Sequence, residues 1–235
     1  MIIGVSQPAF LPWAGYIALI DRVDEFIFLD DVQFDKRSWQ QRNNIKGPSG
    51  TQNITIPVYS KNLFHQKIHE VKINYSENFL PKMFKTIEQN YSKSDYFDEF
   101  SKDFFDIFLM KHEKLISLNI SLIKFICEKI DINTNFSLSS ELSIDSSKAT
   151  LIAEICKKKK TKMYISTSGA KNYLNKDIFF EKSGTELFFY DYLDKEYKQM
   201  HGKFIKKLSI IDLLFNEGLK TKKILKENFI LEKNK

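Results

Sequence analysis

Cysteine is nearly absent, with Cys127 and Cys156 the only two in 235 residues. Each lies in an apolar stretch of helical spacing, which predicts buried free thiols rather than a disulfide framework or a metal site. A reducing compartment fits that usage. No run approaches the roughly 18 to 20 consecutive apolar residues of a membrane helix, and no basic segment followed by an apolar core opens the chain. The expectation is a cytoplasmic protein with no membrane span. Internal repeats and low-complexity linkers are also missing, so the length favours a single α/β domain over residues 1–235. Within it, residues 79–130 form a helical insertion or cap.

Hydrophobic residues at 43%, charged residues at 28% and 21 Phe describe a folded chain with an aromatic-rich core. The net charge of +6 favours an anionic partner such as a nucleotide, a nucleotide sugar, RNA or an anionic membrane surface. Much of that excess is Lys spread along helix faces, with runs at Lys157–Lys160 and Lys222–Lys223, and such faces are ordinarily just solvated.

The apolar run Met1–Val5 opens into Gln7-Pro8-Ala9-Phe10-Leu11-Pro12-Trp13-Ala14-Gly15-Tyr16, and a second run, Phe26–Leu29, ends on Asp30-Asp31. That order reads as strand, tight loop, helix, strand. Downstream, Gly47-Pro48-Ser49-Gly50 marks a turn, and Gln52–Val58 alternates as a strand that pairs with Lys67–Ile73. From Phe79 to Ile130 the apolar spacing becomes three and four, giving two or three helices broken at residues 92–95. Phe136–Leu142 reads as a strand, and Ser146-Ser147 as the cap of a helix through Lys158. Met163–Ser166 is a buried strand with a helix opening at Gly169. Leu187–Tyr190 is a strand, and Leu208–Asn216 is a helix ending at Gly218. Strands alternating with helices imply a Rossmann-like α/β fold, a mostly parallel sheet flanked by helices, whose ligand edge lies beyond the carboxyl ends of the strands.

Several groups of residues fall on that edge. In the first loop Gln7, Trp13 and Tyr16 are substrate-binding candidates, Gln7 as a donor to phosphate or carbonyl. Asp30, at a strand end, suits a general base, a ribose acceptor or a magnesium ligand; the bland reading is an acidic turn. Lys36, Arg37, Arg42 and Asn43, with Trp39 between them, combine forked cations with a stacking ring, which suits phosphate, carboxylate or an RNA end. Ser168-Gly169 at a predicted helix start suits an anion. Ser168 is a poor nucleophile candidate because no Gly-x-Ser-x-Gly elbow surrounds it. Tyr197, Gln199 and His201 alternate, and His201 is the second catalytic candidate, an acid–base group weighed against a surface histidine. His65 and His69 have chelating spacing for a helix but sit in a strand-like stretch without a third ligand, so no metal site is expected.

These pieces together resemble the WbqC-like family of bacterial proteins: Gln7-Pro8, Leu11-Pro12-Trp13, Gly15-Tyr16, Asp24 with Phe26–Asp31, Lys36-Arg37-Ser38-Trp39 with Arg42-Asn43, Tyr164–Gly169 with Tyr173-Leu174, and Tyr197, Gln199, Phe204 and Leu208–Leu214. One departure is Thr167 before the serine–glycine step. The resemblance implies surface-polysaccharide (O-antigen type) biosynthesis, with transfer of an aminoacyl or acyl group to a nucleotide-linked amino sugar, and charged tRNA as one candidate donor. The first alternative is a nucleotidyl or phosphoryl transferase, since the topology is similar to the nucleotidyltransferase-type fold; only this alternative brings in magnesium, and the cofactor is otherwise unknown. Against it, residues 10–16 lack the histidines that such enzymes use. The second alternative is a nucleotide-sugar or RNA-binding module without catalysis.

Overall fold

The computed structural model describes residues 1–232, and residues 176 and 177 by their backbone alone. Its strands are β1 (Ile2–Ser6), β2 (Glu25–Phe28), β3 (Arg42–Gly47), β4 (Gly50–Thr55), β5 (Asn135–Leu138), β6 (Met163–Thr167), β7 (Glu186–Tyr192) and β8 (Phe229–Leu231). Its helices are α1 (Ala14–Ile20), α2 (Leu80–Tyr91), α3 (Phe97–Leu109), α4 (Leu115–Lys129), α5 (Lys148–Lys158), α6 (Lys176–Ser183), α7 (Ile210–Glu217) and α8 (Lys220–Asn228).

Six strands form one sheet in the order β5-β2-β1-β6-β7-β8. Neighbours run parallel except β8, which closes the edge antiparallel to β7. The period-two alternation of strand side chains sorts the core onto two faces. Phe26, Phe28, Ile165 and Tyr190 face α1, α4 and α7, whereas Ile3, Val5, Ile27, Leu187 and Phe189 face α5 and α6. The stretch α2–α4 shares the first of these cores, through Phe104 and Phe108 against Phe215 and Phe10. Cys127 and Cys156 lie buried in opposite cores as free thiols, and burial pushes each up to about 12.

From β1 the chain moves outward to β2 and β5, then crosses through α5 to β6 on the other side of β1. The connections leaving β1 and β6 therefore diverge at their carboxyl ends, the switch point where open α/β sheets bind ligands.

Several local expectations are corrected. Gln52–Val58 pairs mainly with Arg42–Gly47, as an antiparallel hairpin around the Gly47–Gly50 turn, and touches Lys67–Ile73 only through the bridge between Val58 and Ile73. The Lys67–Ile73 segment is a turn of 3-10 helix over Ile68–Glu70. After Ser168 comes a five-residue 3-10 turn, Ser168–Asn172, in place of an α-helix start. Ser147 occupies the cap position of α5, but its hydroxyl makes no capping bond; instead Ser146 Oγ donates to Glu154 at 2.6 Å.

Candidate active-site edge

The loop after β1 is held in place by side chains from elsewhere in the chain. The Asn43 carboxamide donates to the carbonyls of Leu11 (2.7 Å) and Phe10 (3.3 Å). Asn119 of α4 donates to Pro8 (3.3 Å) and Gln40 (2.8 Å). These contacts hold Leu11 at φ 42°, a left-handed conformation that costs an L-residue about 1 to 2 kcal/mol. Asn43 and Asn119 are 2% and 1% exposed, so Asn43 braces the loop rather than meeting a ligand. Tyr16 is likewise buried, its hydroxyl donating to the Gln7 carbonyl at 3.0 Å. Trp13 folds back over the first turn of α1, where a Cβ on Gly15 would lie 2.2–2.5 Å from the indole. The glycine therefore makes room for a ring, and the seven-residue helix, buried throughout, offers no open N-terminus.

The loop after β2 is scaffolded by two glutamines that sequence reasoning passed over. Gln40 Oε1 accepts from the Asp35 amide (3.3 Å), and its Nε2 donates to Gln7 Oε1 (2.9 Å). Gln41 Oε1 accepts from the Arg37 amide (3.1 Å), fixing Arg37 at φ 64°. On this frame Lys36, Arg37 and Gln7 are exposed, and Trp39 is 57% exposed. Arg42, at the start of β3, is half-buried. Among the described residues, the side-chain cations of Lys36, Arg37 and Arg42 have neither an ion-pair nor a hydrogen-bond partner. The hairpin register puts Arg42 beside Thr55 and Asn44 beside Asn53 on one face, where Asn53 Nδ2 donates to Asn44 Oδ1 at 3.1 Å.

Asp30 is 1% exposed, and both of its carboxylate oxygens are occupied. Oδ1 accepts from the Ser140 amide (2.9 Å) and lies 3.1 Å from Ser139 Oγ, while Oδ2 accepts from Ser140 Oγ (2.8 Å). Ser139 Oγ also reaches Asp31 Oδ1 at 2.5 Å. His69 stands beside Asp30, its Nδ1 3.0 Å from the Asp30 carbonyl and 3.8 Å from Oδ2. No three His, Cys, Asp or Glu side chains among the described residues are grouped to hold a metal ion.

Tyr197, Gln199 and His201 lie apart from this loop, in a buried network that also takes in Lys46, Tyr91 and Asp212. Lys46 is fully buried, and its Nζ donates to Gln199 Oε1 (3.0 Å), the Gly202 carbonyl (3.2 Å) and the Lys203 carbonyl (2.7 Å). Asp212, also fully buried, accepts from Tyr197 (2.7 Å) and Tyr91 (2.8 Å). Burial raises the Asp212 carboxyl above the usual range, with the tyrosine bonds and Lys46 acting against the rise. Burial lowers the Lys46 ammonium, opposed by the charge of Asp212. Burial and the Asp212 charge push the Tyr197 phenol upward. His201, at φ 60°, uses Nε2 to hold the Asn90 carbonyl at 2.9 Å. The network pins the segment between β7 and α7 to β3 and α2. Its sequence signal was the alternation of Tyr197 and Gln199; nothing in the sequence marked Lys46.

Across the switch point, Ser168 Oγ lies 3.1 Å from both the Tyr190 carbonyl and Glu232 Oε1, and Gly169 is exposed. Trp13 and Tyr192 meet edge to face at 5.5 Å, linking the first loop to the end of β7.

A mostly parallel α/β sheet whose switch-point edge carries a braced loop of unpaired cations and an exposed indole defines the class of the molecule. The chain belongs to the WbqC-like protein family, whose model matches residues 7–224. It is similar to an uncharacterized protein, Rv1507c, of Mycobacterium tuberculosis (strain ATCC 25618 / H37Rv), 36% identical over 218 residues that cover 92% of this chain and 94% of that protein. No solved structure matches it. No helix among the described residues is long and apolar enough to cross a membrane.

Proposed function

We propose that the protein is a cytoplasmic transferase of surface-glycan, O-antigen-type biosynthesis that moves an aminoacyl or acyl group onto an amino sugar carried by a nucleotide. The observation that carries this reading is Arg42, a half-buried guanidinium with no acidic partner, flanked by exposed Lys36, Arg37 and Trp39 at the sheet's ligand edge. A cation partly removed from water and left unpaired is costly unless an anion completes it, and a planar fork beside an indole suits a diphosphate next to a flat base. In this reading Arg42, Lys36 and Arg37 hold the phosphates, Trp39 stacks, and Gln7 and Ser168-Gly169 flank the switch point. An activated ester such as an aminoacyl-tRNA supplies the acyl group. Amide formation from such an ester needs positioning and charge stabilisation more than a protein nucleophile, and none is required here.

The test is a thermal-shift screen of the full chain against UDP-, GDP-, CMP- and dTDP-linked amino sugars. The hits are then incubated with aminoacyl-tRNA or acyl thioesters, with mass spectrometry reading for the amide. A nucleotide sugar that raises the melting temperature and gains an acyl mass supports the reading; binding without any acyl mass overturns transfer in favour of a binding module.

A further inference from the structure

Of the four histidines, only His69 among the described residues combines a ring fixed on a main-chain carbonyl with a carboxylate within 4 Å. Its Nδ1 lies 3.0 Å from the Asp30 main-chain carbonyl, which can only accept, so Nδ1 carries the proton of the neutral ring. The other nitrogen, Nε2, has no protein partner among the described residues and is not a buried atom, and the side chain is 32% exposed. The remaining histidines differ. His201 is fixed in the same way, by Nε2 on the Asn90 carbonyl, but has no carboxylate within 4 Å among the described residues, and His112 Nε2 is buried without a partner. His65 is exposed on the loop between β4 and the 3-10 turn, with no carboxylate bonded to it among the described residues.

The sequence brings His69 to the ligand edge by an indirect route. After the β3–β4 hairpin the chain returns, and the 3-10 turn closes onto the segment that follows β2. The Ile68 amide donates to Val32 and the His69 amide to Asp30, each at 3.0 Å. The same segment is joined to the end of β1 by the Leu29 amide donating to Ser6 at 2.9 Å. His69 is therefore two strand spacings, roughly 10 Å, from the strand end that leads into Gln7. One acid stands beside the ring, and two more lie near it in sequence or through a shared serine. Asp30 is 3.8 Å away, Asp31 shares Ser139 with it, and Glu70 turns back to accept from the Lys67 amide at 2.7 Å.

We propose that His69 is the proton acceptor of the transfer reaction, with Asp30 as its positioning partner; this rests on the transfer reading above. Asp30 cannot itself meet a substrate, because its oxygens are taken by Ser139 and Ser140 and it is 1% exposed. Its main-chain carbonyl instead holds Nδ1, and its carboxylate lies 3.8 Å from the ring, which aims Nε2 outward. In the step, the sugar amine attacks the acyl carbon of the activated ester, forming the N–C bond as the C–O bond to the carrier breaks. The amine proton goes to Nε2 and then to the departing oxygen, so amide and alcohol leave and His69 returns to its neutral form.

The experiment has two independent arms. Nitrogen-15 NMR of imidazole-labelled full-length protein reads the tautomer without any turnover, and the proposal expects His69 protonated on Nδ1. Turnover is then followed against pH in wild type, His69→Gln and His65→Gln. The expected result is a kcat at least about 100-fold lower in His69→Gln, with KM for the nucleotide sugar unchanged and the acidic limb of the profile gone, while His65→Gln behaves as wild type. An Nε2-protonated tautomer, or a His69→Gln protein that keeps its rate and acidic limb, overturns the proposal and leaves the transfer reading standing. A wild type with no turnover on any acceptor overturns the transfer reading, and proton transfer by His69 falls with it.

Discussion

Arg42 and Lys46 belong to one strand and, two alternations apart, to the same face of the β3–β4 hairpin, yet their surroundings are opposite. Lys46 is fully buried, and its three donors meet three acceptors. Arg42 is half-buried and meets none. At the inner end of the face the charge is spent on the fold, because an ammonium without water must find its acceptors inside the protein. At the outer end the charge is left without a partner among the described residues. Residues of the WbqC-like signature thus divide into those that brace the chain from within, such as Asn43, Tyr197 and Gln199, and those left exposed, such as Gln7, Lys36 and Trp39.

That division is broken most sharply by removing Asp212. Asp212→Ala strands the hydroxyls of Tyr91 and Tyr197 and leaves Lys46 without its nearest negative charge. The expected loss of unfolding free energy is about 3 to 5 kcal/mol by urea denaturation. A loss under 1 kcal/mol would mean that the network does not hold the fold.

Gly15→Ala should cost less, about 1 to 3 kcal/mol, because the new methyl displaces the Trp13 ring rather than deleting a buried charge partner. Near-ultraviolet circular dichroism of the indole should change with it. An unchanged spectrum and melting temperature would remove Trp13 from its place over α1.

A third effect is the pH dependence of stability. Burial raises Asp212, so the folded state binds that proton more tightly than the unfolded chain does. Stability therefore falls as pH rises from the ordinary carboxylate range to the raised value, and is flat with respect to this group above it. Asp21 and Asp194, also raised mainly by burial, add to the same slope. Asp212→Asn should flatten this slope and reduce the total fall across the window by about 1.4 kcal/mol for each unit by which the group is raised. An unchanged slope would mean that Asp212 is not raised.

Smallest of all, Lys36→Ala and Arg37→Ala should each change stability by less than about 0.5 kcal/mol, since neither cation has a partner to lose. A larger loss at Lys36 would reveal a structural contact and weaken the reading of the loop as a ligand surface.

Periodic apolar spacing made most of the frame legible: β1, β6, β7, the three helices between residues 80 and 129, and α7 with its stop at Gly218. The β3–β4 hairpin was hidden because Arg42-Asn43-Asn44-Ile45-Lys46 looks polar on both faces, although Asn43 and Lys46 are as buried as Ile45. A buried amide or ammonium satisfied by distant carbonyls has no periodic signature. β8 was missed for a different reason: three residues directly after a helix pair only because β7 offers an open edge. At the candidate site, the loop was readable as a cluster of cations with an indole, while its supports Gln40, Gln41 and Asn119, and the closeness of His69 to Asp30, depend on contacts between segments apart in sequence.

The measurement closest to the central claim is calorimetric titration of the nucleotide sugar that gives the largest thermal shift into wild type and Arg42→Ala, with melting temperatures recorded on the same samples. The account predicts a Kd at least about tenfold weaker in Arg42→Ala, some 1.4 kcal/mol, with a melting temperature within about 2 °C of wild type. An equal Kd, or an affinity lost only together with the fold, would contradict the assignment of Arg42 as the anchor for an anionic ligand.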